Sequence, residues 1–203
     1  KEFFDCEYFG KLPVKYKADL QIYRVKGLKS QYSSNLKGTL TNEAFRIKFG
    51  LIRFTDIQEI ILDKLERELP DYLYYHNVKH TVDVVTEVEL IGWAEGCSDE
   101  EILILKTAAL FHDVGHVVTY DDHEYQSTLI AREMLPKFNY TSEQIARICS
   151  VIMSTRLPPK PGNLLEQIIC DADLDYLGRS DFIPVSNTLF EELKAQNKMG
   201  SFN

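Results

Sequence analysis

The pattern of hydrophobic and polar positions changes character twice along the chain. Over residues 2–26 it predicts strands: Glu7–Lys17, carrying Tyr8, Val14 and Tyr16, and Leu20–Lys26, carrying Ile22, Tyr23 and Val25. Lys17-Ala18-Asp19 between them predicts a hairpin turn. Residues 27–54 are polar, punctuated by Gly27, Gly38 and Gly50 with Ser and Asn between, and read as a linker with little structure of its own. From Thr55 the period becomes helical. Ile57, Ile60, Ile61 and Leu65 share one face, and Pro70 stops the run. Val82, Val85, Val88, Glu89 and Trp93 continue a second helix, with Trp93 read as core and Gly96 closing it. Ser98 followed by Glu101 is a capping box for a third helix, whose apolar face holds Ile102, Leu105, Ala109 and Leu110. Further helices are predicted over Glu124–Phe138, over Ser142–Thr155 behind a Thr141 or Ser142 cap, over Leu164–Leu177 after the Pro158–Gly162 loop, and over Pro184–Asn197.

The expected architecture is therefore an all-α domain with a short N-terminal β-hairpin. Its expected limits are 1–32 for the hairpin, 33–54 for the linker and 55–203 for the helical domain. The 203 residues are 44% hydrophobic and 27% charged, a globular composition that excludes a disordered chain. The net charge is −8, unevenly spread: residues 1–32 carry +3 and the rest −11. So acidic a chain is a poor nucleic-acid binder, because phosphate binding rests on clustered Lys and Arg. No apolar run reaches the roughly 18 residues of a membrane span, and no signal-peptide pattern opens the chain. Cys6, Cys97, Cys149 and Cys170 form no Cys-x-x-Cys pair, and read as reduced thiols in a cytoplasmic protein. Lys1 opens the sequence without a methionine, so a piece of a longer chain is expected.

The candidate chemistry sits in three segments. These are Tyr75-His76-Asn77-Val78-Lys79-His80, Phe111-His112-Asp113-Val114-Gly115-His116 and Cys170-Asp171-Ala172-Asp173-Leu174-Asp175. All five histidines lie between residues 76 and 123. Adjacent residues on a helix point about 100° apart, so His112 and Asp113 can share one ion only where the helix ends or faces a pocket, and Gly115 is a suitable place for it to end. A distant His and a distant Asp would complete a mixed nitrogen and oxygen set suited to Mn²⁺, Fe²⁺, Zn²⁺ or Mg²⁺. Such an ion activates water and polarises a phosphoryl oxygen.

His80, then His112-Asp113, then a later Asp resembles the H…HD…D signature of the HD superfamily of metal-dependent phosphohydrolases, over roughly residues 55–180. The resemblance implies an all-α helical bundle, one or two divalent ions, and His80, His112, Asp113 and Asp173 as ligands. Among Asp171, Asp173 and Asp175, the family's usual Ala-Asp followed by Leu or Arg falls on Ala172-Asp173-Leu174. Tyr75-His76-Asn77, with His76 four residues before His80, is similar to the cyclic nucleotide phosphodiesterases of this superfamily. That likeness implies His76 as the general acid that protonates the departing ribose oxygen, a task an imidazole can perform near neutral pH. The DADLDYLG segment looks more like bacterial HD hydrolases, and no glutamine clamp for a purine is evident. The stretch EYFGKLPVKYKADLQIYRVKG resembles the closing hairpin of a class III nucleotidyl cyclase, which implies an upstream cyclase domain in a parent chain.

His116, His123 and Glu124 are candidates for a second ion or for substrate contact. Arg156, Arg179 and Lys79 read as surface charges, with phosphate neutralisation as the alternative. Asp121-Asp122 reads as a solvated turn, and Tyr72, Tyr74 and Tyr75 as packing. The leading expectation is hydrolysis of a phosphodiester of a (cyclic) nucleotide by metal-activated water. The alternatives are a nucleotidase or pyrophosphohydrolase acting on noncyclic nucleotides, and a non-catalytic nucleotide-sensing module of a cyclase.

Overall fold

The computed structural model describes residues 2–15 and 18–198. It divides into two compact units, Lys1–Ile52 and Arg53–Asn203. In the first unit, strands β1 (Phe4–Leu12) and β2 (Leu20–Leu28) pair antiparallel, with Tyr8 opposite Tyr23 and Leu12 opposite Leu20. The first strand stops at Leu12, short of the expected Lys17. Pro13 has no N–H to donate to a ladder, so Val14 and Lys15 lie outside the strand. Tyr16 and Lys17, part of the expected strand end and turn, lie outside the described residues.

Residues 27–54 are not the open linker that their polarity suggested. A short 3-10 turn spans Ser30–Tyr32, Ser33 bridges Thr41, and helix α1 (Glu43–Glu68) begins twelve residues before the expected Thr55. Phe45 and Phe49, one helical turn apart, stack at 5.6 Å, and Phe3 closes on Phe45 at 4.8 Å. This aromatic cluster was hidden among Lys, Arg and Gly positions.

The second unit is a helical bundle. Beyond Ile52, α1 buries Phe54, Ile57, Ile61 and Leu65, each contributing roughly 1.5–3 kcal/mol by leaving water. Ile60 is 45% exposed, not part of that face. Helix α2 (Val78–Ala94) starts at an Asn77 cap, and α3 (Asp99–Phe111) at the predicted Ser98/Glu101 capping box. Helix α3 is buried along most of its length, from Ile102–Leu105 to Thr107–Phe111, and packs against α2 and the later helices. Trp93, read as core, is 47% exposed. Its neighbour Gly92 faces α3 instead, where a Cβ would lie 2.6 Å from the Ile102 side chain, so Trp93 points about 100° away.

Helix α4 (His123–Met134) ends sooner than expected. A 3-10 turn, Leu135–Phe138, follows where Pro136 lacks the donor to continue it. Helix α5 (Ser142–Ser154) opens with a second capping box, Thr141 with Gln144. Helix α6 (Leu164–Asp173) ends four residues before the expected Leu177, and α7 (Phe182–Ala195) completes the bundle. Among the described residues no helix is long and apolar enough to cross a membrane. All four cysteines are free.

Candidate metal centre and active site

Three helix ends bring the candidate residues together. At the start of α2, the Asn77 carboxamide oxygen accepts from the His80 backbone N–H and its nitrogen donates to the Tyr74 carbonyl. The cap fixes His80 in the first turn and leaves His76 just outside it. At the end of α3 the α-helix stops at Phe111, so His112 and Asp113 escape regular helical spacing. Gly115 does not end that helix, as had been expected. It lies in the following 3-10 turn, Val114–Val117, where a Cβ would fall 1.9 Å from the His123 carbonyl oxygen. Only glycine permits that approach to α4. Ser127 locks the contact, accepting from the Gly115 N–H at 2.8 Å and donating to the His112 carbonyl at 2.6 Å. Asp173 is the last residue of α6.

His80 Nε2 lies 3.0 Å from Asp173 Oδ1 and 3.5 Å from Asp113 Oδ2. His112 Nε2 lies 3.2 Å from Asp113 Oδ2, 3.4 Å from Asp173 Oδ1 and 3.3 Å from His80 Nε2. The structure thus brings together all four residues of the H…HD…D pattern. Asp171 is exposed, and Asp175 pairs with Arg179. His112 Nδ1 donates to the Ala109 carbonyl at 2.7 Å, so in the neutral ring Nε2 presents a lone pair to the cluster. Asp113 Oδ2 is buried without a hydrogen-bond partner. A converging set of imidazole lone pairs and carboxylate oxygens fits a divalent cation.

The charge balance points the same way. Burial alone would disfavour a charged His112, but Asp113 and Asp173 outweigh it and hold its pKa well above the ordinary imidazole range. Burial likewise opposes ionisation of Asp113 and Asp173, yet the surrounding imidazoles hold both carboxyls below the usual carboxylate range. The cluster is built to favour positive charge.

A second group forms beside the first. His76, Asp113 and His116 offer ligand atoms within 4.8 Å of one another. His116 is 3% exposed, and neither ring nitrogen has a partner. Burial pushes its pKa down to about 3, so the ring is neutral. It stacks on His123 at 3.8 Å. His123 donates Nδ1–H to the Tyr120 carbonyl and turns Nε2 toward Asp113 Oδ1 at 3.4 Å, with Glu124 Oε1 at 3.6 Å. His116 and His123 therefore stand beside Asp113, and Glu124 beside His123.

Sequence reasoning missed Glu192. Its side chain is fully buried, its Oε2 accepts from the Tyr75 and His76 backbone N–H groups at 2.9 and 3.1 Å, and its Oε1 pairs with His76 Nδ1. Tyr120 donates its hydroxyl to the same Oε1 at 3.2 Å. Burial alone would lower the His76 pKa, but Asp113 and Glu192 outweigh it and raise it. A signal existed: Val185, Leu189 and Glu192 share one face of α7, so the acid occupies an apolar-stripe position.

His76, Asp113, His116, His123 and Glu124 line a cavity of about 410 Å³, walled by Leu157, Leu174, Leu189 and Leu193. Arg156 lines it too, paired with Asp122 at 2.5 Å. A smaller cavity of about 270 Å³ reaches His80 and Asp173, and Lys79 and Arg179 line that one, paired with Asp83 and Asp181. Tyr75 is buried, whereas Tyr72 and Tyr74 are 41% and 48% exposed.

Residues 77–175 match the family model described as HD domain. A protein of Clostridium beijerinckii described as uncharacterized is 34% identical over 84 residues, 40% of this chain. The chain spans about half, 53%, of that relative's length. Among solved structures the chain is similar to a predicted HD superfamily hydrolase from an uncultured Thermotogales bacterium. That likeness has a TM-score of 0.53 and 27% identity, and covers 64% of this chain and 74% of the other. The matched span runs from the Asn77 cap through α2–α6 and holds His80, His112, Asp113 and Asp173, while the N-terminal hairpin, α1, His76 and α7 lie outside it.

Proposed function

We propose that this chain is a metal-dependent phosphohydrolase that cleaves a phosphodiester of a nucleotide, cyclic forms included. The observation that carries the reading is the convergence of His80, His112, Asp113 and Asp173, with lone pairs and carboxylates facing one another. A divalent ion held there, of the Mn²⁺, Mg²⁺, Fe²⁺ or Zn²⁺ kind, supplies an acidified water and a Lewis acid for a phosphoryl oxygen. A second ion would be held by Asp113 and His116, with His76 as the third donor of that group or, where His76 keeps its proton, with His123 beside Asp113.

The remaining roles belong to the chain itself. Asp113 and Glu192 raise the His76 pKa, with Nδ1 committed to Glu192 and Nε2 left for the cavity. As water adds to phosphorus and the bond to the leaving ribose oxygen breaks, His76 Nε2 gives its proton to that oxygen. Glu192 positions the ring and stabilises the charge it carries beforehand. The leucine wall offers an apolar surface to a base. The cation pair at the rim favours a second reading, a nucleotidase or pyrophosphohydrolase acting on noncyclic nucleotides.

The test is turnover of cyclic AMP, cyclic GMP and noncyclic nucleotides with Mn²⁺ or Mg²⁺, in wild type, His76→Ala and Asp113→Ala. Metal-dependent ring opening lost in Asp113→Ala, and about 10²–10⁴-fold slower in His76→Ala, supports the phosphodiesterase reading. Hydrolysis of noncyclic nucleotides that survives His76→Ala supports the second. Metal binding with no turnover of any substrate would make the domain a nucleotide-sensing module.

A further inference from the structure

We propose that Arg156 and Lys198 bind a second phosphate of the substrate, one that is not attacked, by exchanging their present partners Asp122 and Asp121 for it. The inference rests on the phosphohydrolase reading and deepens it by naming the substrate class.

The larger cavity is an unfavourable place for an anion. Asp113, Glu124 and Asp173 line it, Asp121 and Asp122 stand at its rim, and the only Lys or Arg among its described lining residues are Arg156 and Lys198. Each of these cations is held by one of two successive carboxylates in the turn that enters α4. The pairs are exposed, with side-chain accessibilities of 54% and 55% for Arg156–Asp122 and 34% and 81% for Lys198–Asp121. Exposed pairs of this kind hold weakly, so a ligand can displace either carboxylate at small cost. A phosphate group is the matched replacement. It brings up to two charges and three acceptor oxygens, and the two cations line one cavity and pair with adjacent residues of one turn.

The pair is also connected to the acid. Lys198 Nζ lies 4.5 Å from the Tyr120 ring centroid, and the Tyr120 hydroxyl donates to the carboxylate that holds His76. A phosphate drawn to Lys198 therefore sits on the side of the cavity where the leaving group is protonated. The substrate class selected is a nucleotide bearing a phosphate in addition to the scissile one. A cyclic mononucleotide, with a single phosphate, leaves Arg156 and Lys198 on their aspartates.

Equilibrium binding to the Mn²⁺-loaded chain tests this without requiring turnover. The probes are adenosine 5′-monophosphate, adenosine 5′-diphosphate and adenosine 3′,5′-bisphosphate, measured by calorimetry. In wild type at least one doubly phosphorylated probe binds tenfold or more tighter than the monophosphate, about the effect of one charge-assisted contact. Arg156→Met and Lys198→Met each reduce that ratio, while the monophosphate affinity stays within about threefold of wild type. Asp121→Asn and Asp122→Asn raise the ratio, because they remove the internal competitor, and Asn tolerates the left-handed backbone of residue 122 (φ 59°). Glu95→Gln, the same charge change at an exposed site elsewhere, leaves it unchanged. Equal affinity for all three probes in wild type, no binding of any of them, or a ratio that survives in both Met variants overturns the proposal. A chain that binds as described but hydrolyses nothing sinks the enzymatic reading alone.

Discussion

The buried end and the exposed rim of the larger cavity are both made of acid–base pairs, yet they are held in opposite ways. Asp113 and His116 line the cavity's buried end, and they, with His112 and Glu192 behind them, are each 5% exposed or less. Ser127 holds the His112 backbone, and the backbone N–H groups of Tyr75 and His76 hold Glu192. At the rim Arg156 and Lys198 reach Asp122 and Asp121 through solvent-exposed side chains. Removing one partner of a buried pair strands a charge and costs about 3–5 kcal/mol, whereas an exposed pair is worth about 0–1 kcal/mol. The buried end is therefore rigid, as the proposed ion site and proton transfer require, and the rim pairs are weakly held, as the proposed exchange requires.

The largest effect that would break this contrast is at the ligand cluster. Asp173→Ala leaves His80 and His112 facing each other without their shared carboxylate, and metal-dependent turnover should fall about 10³-fold in a steady-state assay. Next comes the packing that aims His112 and Asp113. Gly115→Ala drives a methyl into the His123 carbonyl and should cost about 3 kcal/mol, the upper end of overpacking, in urea unfolding. If Gly115→Ala unfolds with the wild-type midpoint, the turn is not the rigid support described here.

Glu192→Gln should lower kcat about 10–100-fold with a smaller change in KM, since it loosens the acid without removing it. The sign of its pH effect is fixed. His76 must be protonated to act, so activity falls as pH rises through its pKa; Glu192 helps raise that pKa. Glu192→Gln should therefore move the alkaline fall of the pH–rate profile to lower pH. The smallest effect sharpens the comparison from the other side. Arg156→Met should leave the unfolding free energy within about 0.5 kcal/mol of wild type, because only an exposed pair is lost.

Much of this was legible because it is local. The Ser98 and Thr141 capping boxes depend on neighbours within a few residues, whereas His80, His112-Asp113 and Asp173, spread over 93 residues, were legible only through their likeness to a known signature. What escaped depends on partners far along the chain. Glu192 meets His76 across 116 residues, and in its own segment it looks like one more acid beside Glu191. Asp121 and Asp122 read as a solvated turn; their ion pairs with Lys198 and Arg156 appear only when α4, α5 and the segment after α7 meet. Trp93 was misplaced for a smaller reason. A one-residue shift rotates a helix position by about 100°, and Gly92 rather than Trp93 takes the buried spot against α3.

The central claim is that His80, His112, Asp113 and Asp173 form one cation site. Calorimetric titration with Mn²⁺ in buffers of different ionisation enthalpy tests it most directly. Because the carboxylates raise the His112 pKa, binding should displace its proton and give a buffer-dependent enthalpy. Binding should be lost or severely weakened in His112→Ala and Asp113→Ala. Wild-type protein that takes up no Mn²⁺, or variants that bind it as tightly as wild type, would contradict the account.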